Sequence, residues 1–226
     1  MTQKDNESGF NWQQFIFPPI HKEGVKIAVV VLIVALLLGV FCKLWALGIL
    51  LLGFTLYFFR NPPRVSPKEE GVVLAPADGL VCKIEKVMPP QKLELPEIPL
   101  TRVSIFMSVF NVHVNRAPVS GKVIGLNYHH GKFVSVTKKE SDSNERQEIL
   151  MQTDQGQKVA FVQIAGLVAR RIYCPLKLGD TLRAGDIFGM IRFGSRLDVY
   201  LPQGVKPQVQ VGQTMLAGET VLAHLK

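Results

Sequence analysis

Residues 27–59 form an apolar stretch of 33 residues in which Lys43 is the single charge. Built as one helix it would be about 50 Å long at 1.5 Å per residue, well beyond a hydrocarbon core of roughly 30 Å. Divided at Lys43 it becomes two halves, 27–42 and 44–59, of 16 residues each. Each half is about 24 Å of helix, slightly short for a full span unless flanking side chains snorkel or the bilayer thins. A membrane hairpin is therefore expected, and a shallow, half-inserted version of it stays open. His21, Lys22 and Lys26 precede the stretch and Arg60, Arg64 and Lys68 follow it. Both ends then belong on the cytoplasmic side, which predicts a location at the cell (inner) membrane. In the preceding segment, 1–26, Phe10, Trp12, Phe15 and Phe17 read as interfacial anchors. A cleaved signal peptide is disfavoured, because the apolar run starts late, is too long and ends in Phe58-Phe59-Arg60 instead of small residues.

The whole chain has 226 residues and a formal charge of +8. Residues 1–70 hold 7 basic and 5 acidic side chains, which leaves 19 basic and 13 acidic for the remainder. A basic domain tethered beside a membrane is drawn to anionic headgroups, at about 1 kcal/mol per well-placed Lys or Arg. Nucleic acid is excluded as partner, since no recognition helix, RNP-type motif or dense basic run is present. Cys42, Cys82 and Cys174 have no CxxC spacing, which argues against a disulfide framework or zinc site and for reduced thiols.

From about residue 71 the chain reads as β throughout. Short apolar runs at 72–74, 80–84, 103–110, 122–126, 134–137, 159–164 and 199–201 are separated by turn residues every 8 to 12 positions, the spacing of a sandwich or barrel. The polar stretch 138–148 and the Pro-rich stretch 88–99 read as exposed loops. Two repeats sharpen the picture. Ala75-Pro76-Ala77-Asp78-Gly79-Leu80-Val81 is echoed by Ala117-Pro118-Val119-Ser120-Gly121-Lys122-Val123, and Leu178-Gly179-Asp180-Thr181-Leu182-Arg183-Ala184-Gly185-Asp186 by Val211-Gly212-Gln213-Thr214-Met215-Leu216-Ala217-Gly218-Glu219. These units resemble the half-motifs of biotinyl/lipoyl-type barrel-sandwich domains. The expected fold is thus mainly β, a duplicated barrel-sandwich domain at 60–226 behind an α-helical membrane hairpin at 27–59. A carrier role does not follow, because no lysine stands in the hairpin-tip setting such carriers use.

The usual catalytic signatures HExxH, the phosphate-binding Gly-rich loop and GxSxG are missing. His129 and His130 are adjacent, so on a strand they point to opposite faces and read as surface or packing residues, not shared metal ligands. What remains is Phe193-Gly194-Ser195 between two β runs, beside one repeat and before another. Alone, Gly-Ser is a turn dipeptide.

In that setting, together with Phe58-Phe59-Arg60-Asn61-Pro62-Pro63-Arg64, Ala75-Pro76-Ala77-Asp78-Gly79, the run from Phe106-Met107-Ser108 through His113-Val114-Asn115-Arg116-Ala117-Pro118, Phe193-Gly194-Ser195-Arg196 and Val211-Gly212-Gln213-Thr214, the chain resembles the phosphatidylserine decarboxylase proenzymes of the short bacterial and archaeal type. The resemblance implies self-cleavage between Gly194 and Ser195. Ser195 Oγ attacks the Gly194 carbonyl, β-elimination separates 1–194 from 195–226, and hydrolysis leaves a pyruvoyl group at residue 195. A glycine before the scissile bond suits this, having no Cβ to shield its carbonyl. No metal or external cofactor is implied. The pyruvoyl carbonyl then forms a Schiff base with phosphatidylserine, accepts the electrons freed by loss of carbon dioxide, and phosphatidylethanolamine is released.

The resemblance further implies that Asp78 is the base for self-cleavage, where the plain alternative is an Asx-turn residue. It makes His113 the histidine that assists decarboxylation, where the alternative is a strand histidine satisfied by backbone. Longer family members carry a second histidine three residues on. Here Arg116 stands there, unable to act as a base near neutrality and suited to binding the substrate's carboxylate or phosphate. The partners implied are phosphatidylserine, an anionic membrane, the heterodimer of the two cleaved chains and a homodimer of such pairs. Two other classes stay in play: a non-catalytic membrane-anchored adaptor, and a pyruvoyl decarboxylase of a soluble amino acid, against which the hairpin argues.

Overall fold

The computed structural model describes residues 13–135, 143–167, 171–192 and 194–225. Phe10, Trp12 and Phe193 lie outside the described residues, as do 136 and 137 of the run expected at 134–137. The chain divides into two compact units, one through Pro63 and one from Arg64.

The first unit holds helices α1 (Gln13–Ile16), α2 (Lys22–Cys42) and α3 (Trp45–Phe58). The His21 imidazole caps α2, Nδ1 accepting from Glu23 N at 3.3 Å, so the helix starts before the apolar stretch does. It ends at Lys43, which takes the left-handed conformation with φ 56°. At about 1.5 Å per residue its 21 residues reach about 31 Å, enough for a hydrocarbon core, whereas the 14 of α3 reach about 21 Å. The two helices pack through small residues. A Cβ on Gly39 would lie 2.5 Å from the Trp45 ring, and one on Gly48 would lie 2.9 Å from Ala35 Cβ. Most large side chains of both helices point outward, including Val30, Phe41, Ile49 and Leu50, all more than half exposed.

The second unit is β. Its strands are β1 (Val72–Leu74), β2 (Gly79–Val87), β3 (Leu100–Met107), β4 (Val114–Arg116), β5 (Gly121–His129), β6 (Arg146–Gln152), β7 (Lys158–Ala165), β8 (Ile172–Tyr173), β9 (Thr181–Leu182), β10 (Ile187–Ile191), β11 (Ser195–Leu201), β12 (Thr214–Met215) and β13 (Val221–His224). They form an eight-stranded antiparallel sheet in the order β12-β2-β3-β11-β7-β6-β5-β9, a three-stranded sheet β4-β10-β8 and the pair β1-β13. All three contribute to one buried core, with Val73, Ile105, Phe161, Phe188, Leu197 and Leu222 among its members. The Phe161 and Phe188 rings meet edge to face at 4.9 Å, an arrangement that adds about 0.5–1.5 kcal/mol beyond area burial.

The repeats occupy matched positions. Val81 N donates to Gln213 O at 2.9 Å and Val123 N to Asp180 O at 2.8 Å. Gly218 N donates to Ala75 O at 2.8 Å and Gly185 N to Ala117 O at 2.9 Å. Each copy of the first repeat therefore holds one copy of the second. A Cβ on Gly79 would sit 2.1 Å from Phe106 O, and one on Gly121 would sit 2.2 Å from Gln152 O, so both copies need glycine for close backbone approach.

Several expectations are corrected. The run 103–110 stops being a strand at Met107, because Asn111 Oδ1 accepts from both Ser108 N and Ser108 Oγ at 2.8 Å and turns the chain. Residues 134 and 135 are not in a strand. The polar stretch 138–148 is not all loop: β6 begins at Arg146, and Glu148, though charged, is buried with Arg146 Nε and His129 Nε2 each 2.9 Å from its carboxylate. The Pro-rich stretch 88–99 is not simply exposed, since Leu93 is buried in a second cluster with Leu100, Leu150 and Tyr200.

Candidate active site

Gly194 has φ +65°, a conformation that favours glycine, and a Cβ there would meet nothing within 4 Å. Ser195 opens β11, facing Met107 of β3 on one side and Ala165 of β7 on the other. It is fully buried, and Oγ donates to Met107 Sδ at 3.3 Å instead of to a carboxylate or imidazole. A thioether is a weak acceptor, so the hydroxyl is only loosely committed. The next residue, Arg196, turns to the opposite face of the sheet. There its guanidinium grips Asp198 with Nε–Oδ1 and Nη2–Oδ2 distances of 2.9 and 3.0 Å, fixing the start of the strand.

Asp78 stands just before β2 and is buried. Oδ1 accepts from Ala217 N at 2.8 Å, and Oδ2 accepts from Arg64 Nη2 at 2.7 Å. Arg64 also approaches Glu219 Oε2 at 3.6 Å. In the other repeat copy Ser120 Oγ accepts from Ala184 N at 2.9 Å, the same kind of bond one oxygen can supply. Asp78 thus has a turn-holding oxygen that Ser120 matches and a second, ion-paired oxygen that Ser120 lacks. Arg116 Nη1 donates to Gly185 O at 2.9 Å. Burial holds its guanidinium below the usual arginine value, nearby Arg64 pushes the same way, and Asp78, Glu219 and Asp186 oppose them. The structure therefore brings Asp78, Arg64, Arg116 and Glu219 into one charged group.

His113 is fully buried in the connection leading into β4. Its Nδ1 lies 2.9 Å from Asn111 O. A carbonyl only accepts, so Nδ1 carries a hydrogen and donates to it. His129 and His130 stand elsewhere, the first against Glu148 and the second with its ring 5.0 Å from that of Tyr128. Among the described residues no three His, Cys, Asp or Glu side chains form a group able to hold a metal.

A sequence profile described as phosphatidylserine decarboxylase matches residues 51–223. The chain belongs to the phosphatidylserine decarboxylase family. A protein of Ruegeria pomeroyi named phosphatidylserine decarboxylase proenzyme is 51% identical over 210 residues, covering 92% of this chain and 96% of that protein. Proteins of the same name from Cereibacter sphaeroides and Rickettsia akari are 51% and 47% identical, each covering 92% of this chain and 90% and 91% of their own lengths. This family member is accordingly an enzyme of a class made as a proenzyme. Two residues of its site were not singled out as functional in the sequence, Arg64 and Met107, and both lie inside motifs that carried the resemblance.

Proposed function

We propose that the chain cleaves itself between Gly194 and Ser195 and then decarboxylates phosphatidylserine to phosphatidylethanolamine. The observation that carries this reading is the buried, weakly hydrogen-bonded Ser195 hydroxyl next to a glycine at φ +65° with open space around it, in a chain whose relatives bear the proenzyme name. Ser195 Oγ gives its proton to Asp78, directly or with the help of His113, and bonds to the Gly194 carbonyl carbon. The Gly194–Ser195 C–N bond breaks and the nitrogen takes up a proton, leaving an ester. Loss of the residue 195 α-proton with cleavage of the Cβ–Oγ bond frees Gly194 as a carboxylate, and one water then releases ammonia. The products are 1–194 and 195–226, held as a heterodimer, with homodimers of that pair as the assembled form.

The residues around Ser195 fit the pyruvoyl group, because Met107 Sδ accommodates a methyl as readily as a hydroxyl. The chemistry such a carbonyl would supply there is a site for the lipid's amine and a sink for the electron pair released with carbon dioxide. His113, with Nδ1 fixed by Asn111 O, presents Nε2 for the substrate carboxylate or for the carbon that loses it. Arg116 binds the substrate's anionic groups. Segment 1–26 lies at the interface, 27–59 is the membrane hairpin, and 60–226 is a duplicated barrel-sandwich catalytic domain, a reading supported by the matched bonds of the two repeat copies. The outward apolar side chains of α2 and α3 favour lipid over water, and the basic flanks favour the cytoplasmic face of the inner membrane.

Intact-mass measurement on the membrane-extracted chain, with phosphatidylserine vesicles and free serine as substrates, tests this. Two fragments, phosphatidylethanolamine from the vesicles and no reaction with serine are expected. An active, uncleaved 25.1 kDa chain overturns the reading, and activity on free serine points to the soluble substrate class.

A further inference from the structure

Three polar side chains meet inside the apolar core behind the scissile bond. Asn115 comes from the three-stranded sheet, where it pairs with Gly189 of β10, and Nδ2 donates to Met107 Sδ at 3.8 Å. That sulfur is the same one that accepts from Ser195 Oγ. Gln163 comes from β7 of the other sheet, and Nε2 donates to Asn115 Oδ1 at 2.8 Å. Ser195, Asn115 and Gln163 are all fully buried, and Gln163 Oε1 has no hydrogen-bond partner among the described residues. The absence of a side chain at Gly189 makes room for the amide, since a Cβ there would lie 3.1 Å from Gln163 Nε2.

A buried, unsatisfied carboxamide costs about 1–3 kcal/mol, and the flanking residues are Val114 and Arg116 in β4 and Val162 and Ile164 in β7. Packing alone would favour leucine at both positions. Ser195 Oγ–H and Asn115 Nδ2–H converge on one thioether, a poor sink for either. An amide donor so weakly engaged is available to an oxygen on which negative charge develops.

We propose that Asn115, oriented by Gln163, is a positioning pair for self-cleavage, which rests on Ser195 being the attacking residue. As the Oγ–H bond breaks, and before the charge passes to the Gly194 carbonyl oxygen with the new C–O bond, the Asn115 amide hydrogen turns from Met107 Sδ to Oγ, its neighbour on that sulfur. Asn115 neither gains nor loses a proton. Gln163 acts through Asn115, holding its Oδ1 so that Nδ2 faces the sulfur.

The test follows cleavage of freshly synthesised full-length chain by intact mass, with thermal unfolding as the control for folding. Asn115→Leu and Gln163→Leu keep the volume and remove the amides. Asn115→Leu is expected to cleave about 10²-fold slower, in line with loss of one donor to an oxyanion, and Gln163→Leu at least tenfold slower. The double variant should be no slower than Asn115→Leu alone. Hydroxylamine, which cuts an accumulated ester, should not restore cleavage to Asn115→Leu. Wild-type rates in either folded variant, additive effects in the double variant, or rescue by hydroxylamine overturn the proposal. Should Asn115→Leu fail to fold, Gln163→Leu decides alone, by a slowed or unchanged rate. A wild-type chain that stays intact would remove the parent reading instead.

Discussion

Arg64 Nη2 and Asp78 Oδ2 lie 2.7 Å apart, with each side chain only 9% exposed. Breaking a buried pair by removing one partner costs about 3–5 kcal/mol, mostly as an uncompensated charge. Arg64→Met should therefore lower the Tm of the chain by on the order of 10 °C. Measuring it in a Ser195→Ala background separates stability from cleavage. A loss below a few degrees would mean that Arg116, the other cation beside Asp78, is enough to compensate its charge.

Gly194→Ala introduces a Cβ into open space but places an L-residue at φ +65°, which costs about 1–2 kcal/mol of backbone strain. The folded chain should survive and cleavage should slow several-fold, because relaxation of this dihedral moves the carbonyl away from Oγ. The fraction cleaved against time, by gel, checks this.

Thiol chemistry offers an independent measurement. Burial pushes the Cys174 thiol up to about 11, against an ordinary 9.0. The reactive thiolate is thus favoured only above that range, and at pH 8 its population falls from roughly a tenth to about a thousandth. Iodoacetamide at pH 8 should label exposed Cys42 far faster than Cys174, and labelling of Cys174 should still be rising at pH 10. Peptide mass mapping reads both.

After cleavage, β11 keeps both neighbours, since Ser195 through Leu201 pair with β3 and Ser195 through Tyr200 with β7. β12 and β13 likewise stay paired with β2 and β1. The fragments should therefore co-elute on gel filtration in mild detergent and separate only in denaturant.

Much of this was legible in the chain itself. The turn of the helical hairpin falls at Lys43, the one charge in the apolar stretch, and the repeats mark the places where β2 meets β12 and β5 meets β9. β6 was hidden because Arg146, Gln147 and Glu148 look solvated, whereas Gln147 and Glu148 are buried, Gln147 Nε2 donating to Asn127 O of β5 and the Glu148 carboxylate standing against Arg146 and His129. The end of β3 was hidden because an asparagine side chain, not a glycine or proline, turns the backbone. Asp78, His113 and Ser195 were singled out through motifs, and the structure buries all three. The Asn115–Gln163 contact was not singled out, because it joins strands of different sheets across 48 positions of sequence.

The two repeat copies also supply an internal comparison. Ser120 holds its turn with one oxygen, as Asp78 does with Oδ1, and carries no charge. Asp78→Ser should accordingly preserve the turn while removing what is special to the catalytic half, giving a folded chain that fails to cut itself. One half of the domain thus serves as an internal control for the other, matched to it in the turn bond and different in charge.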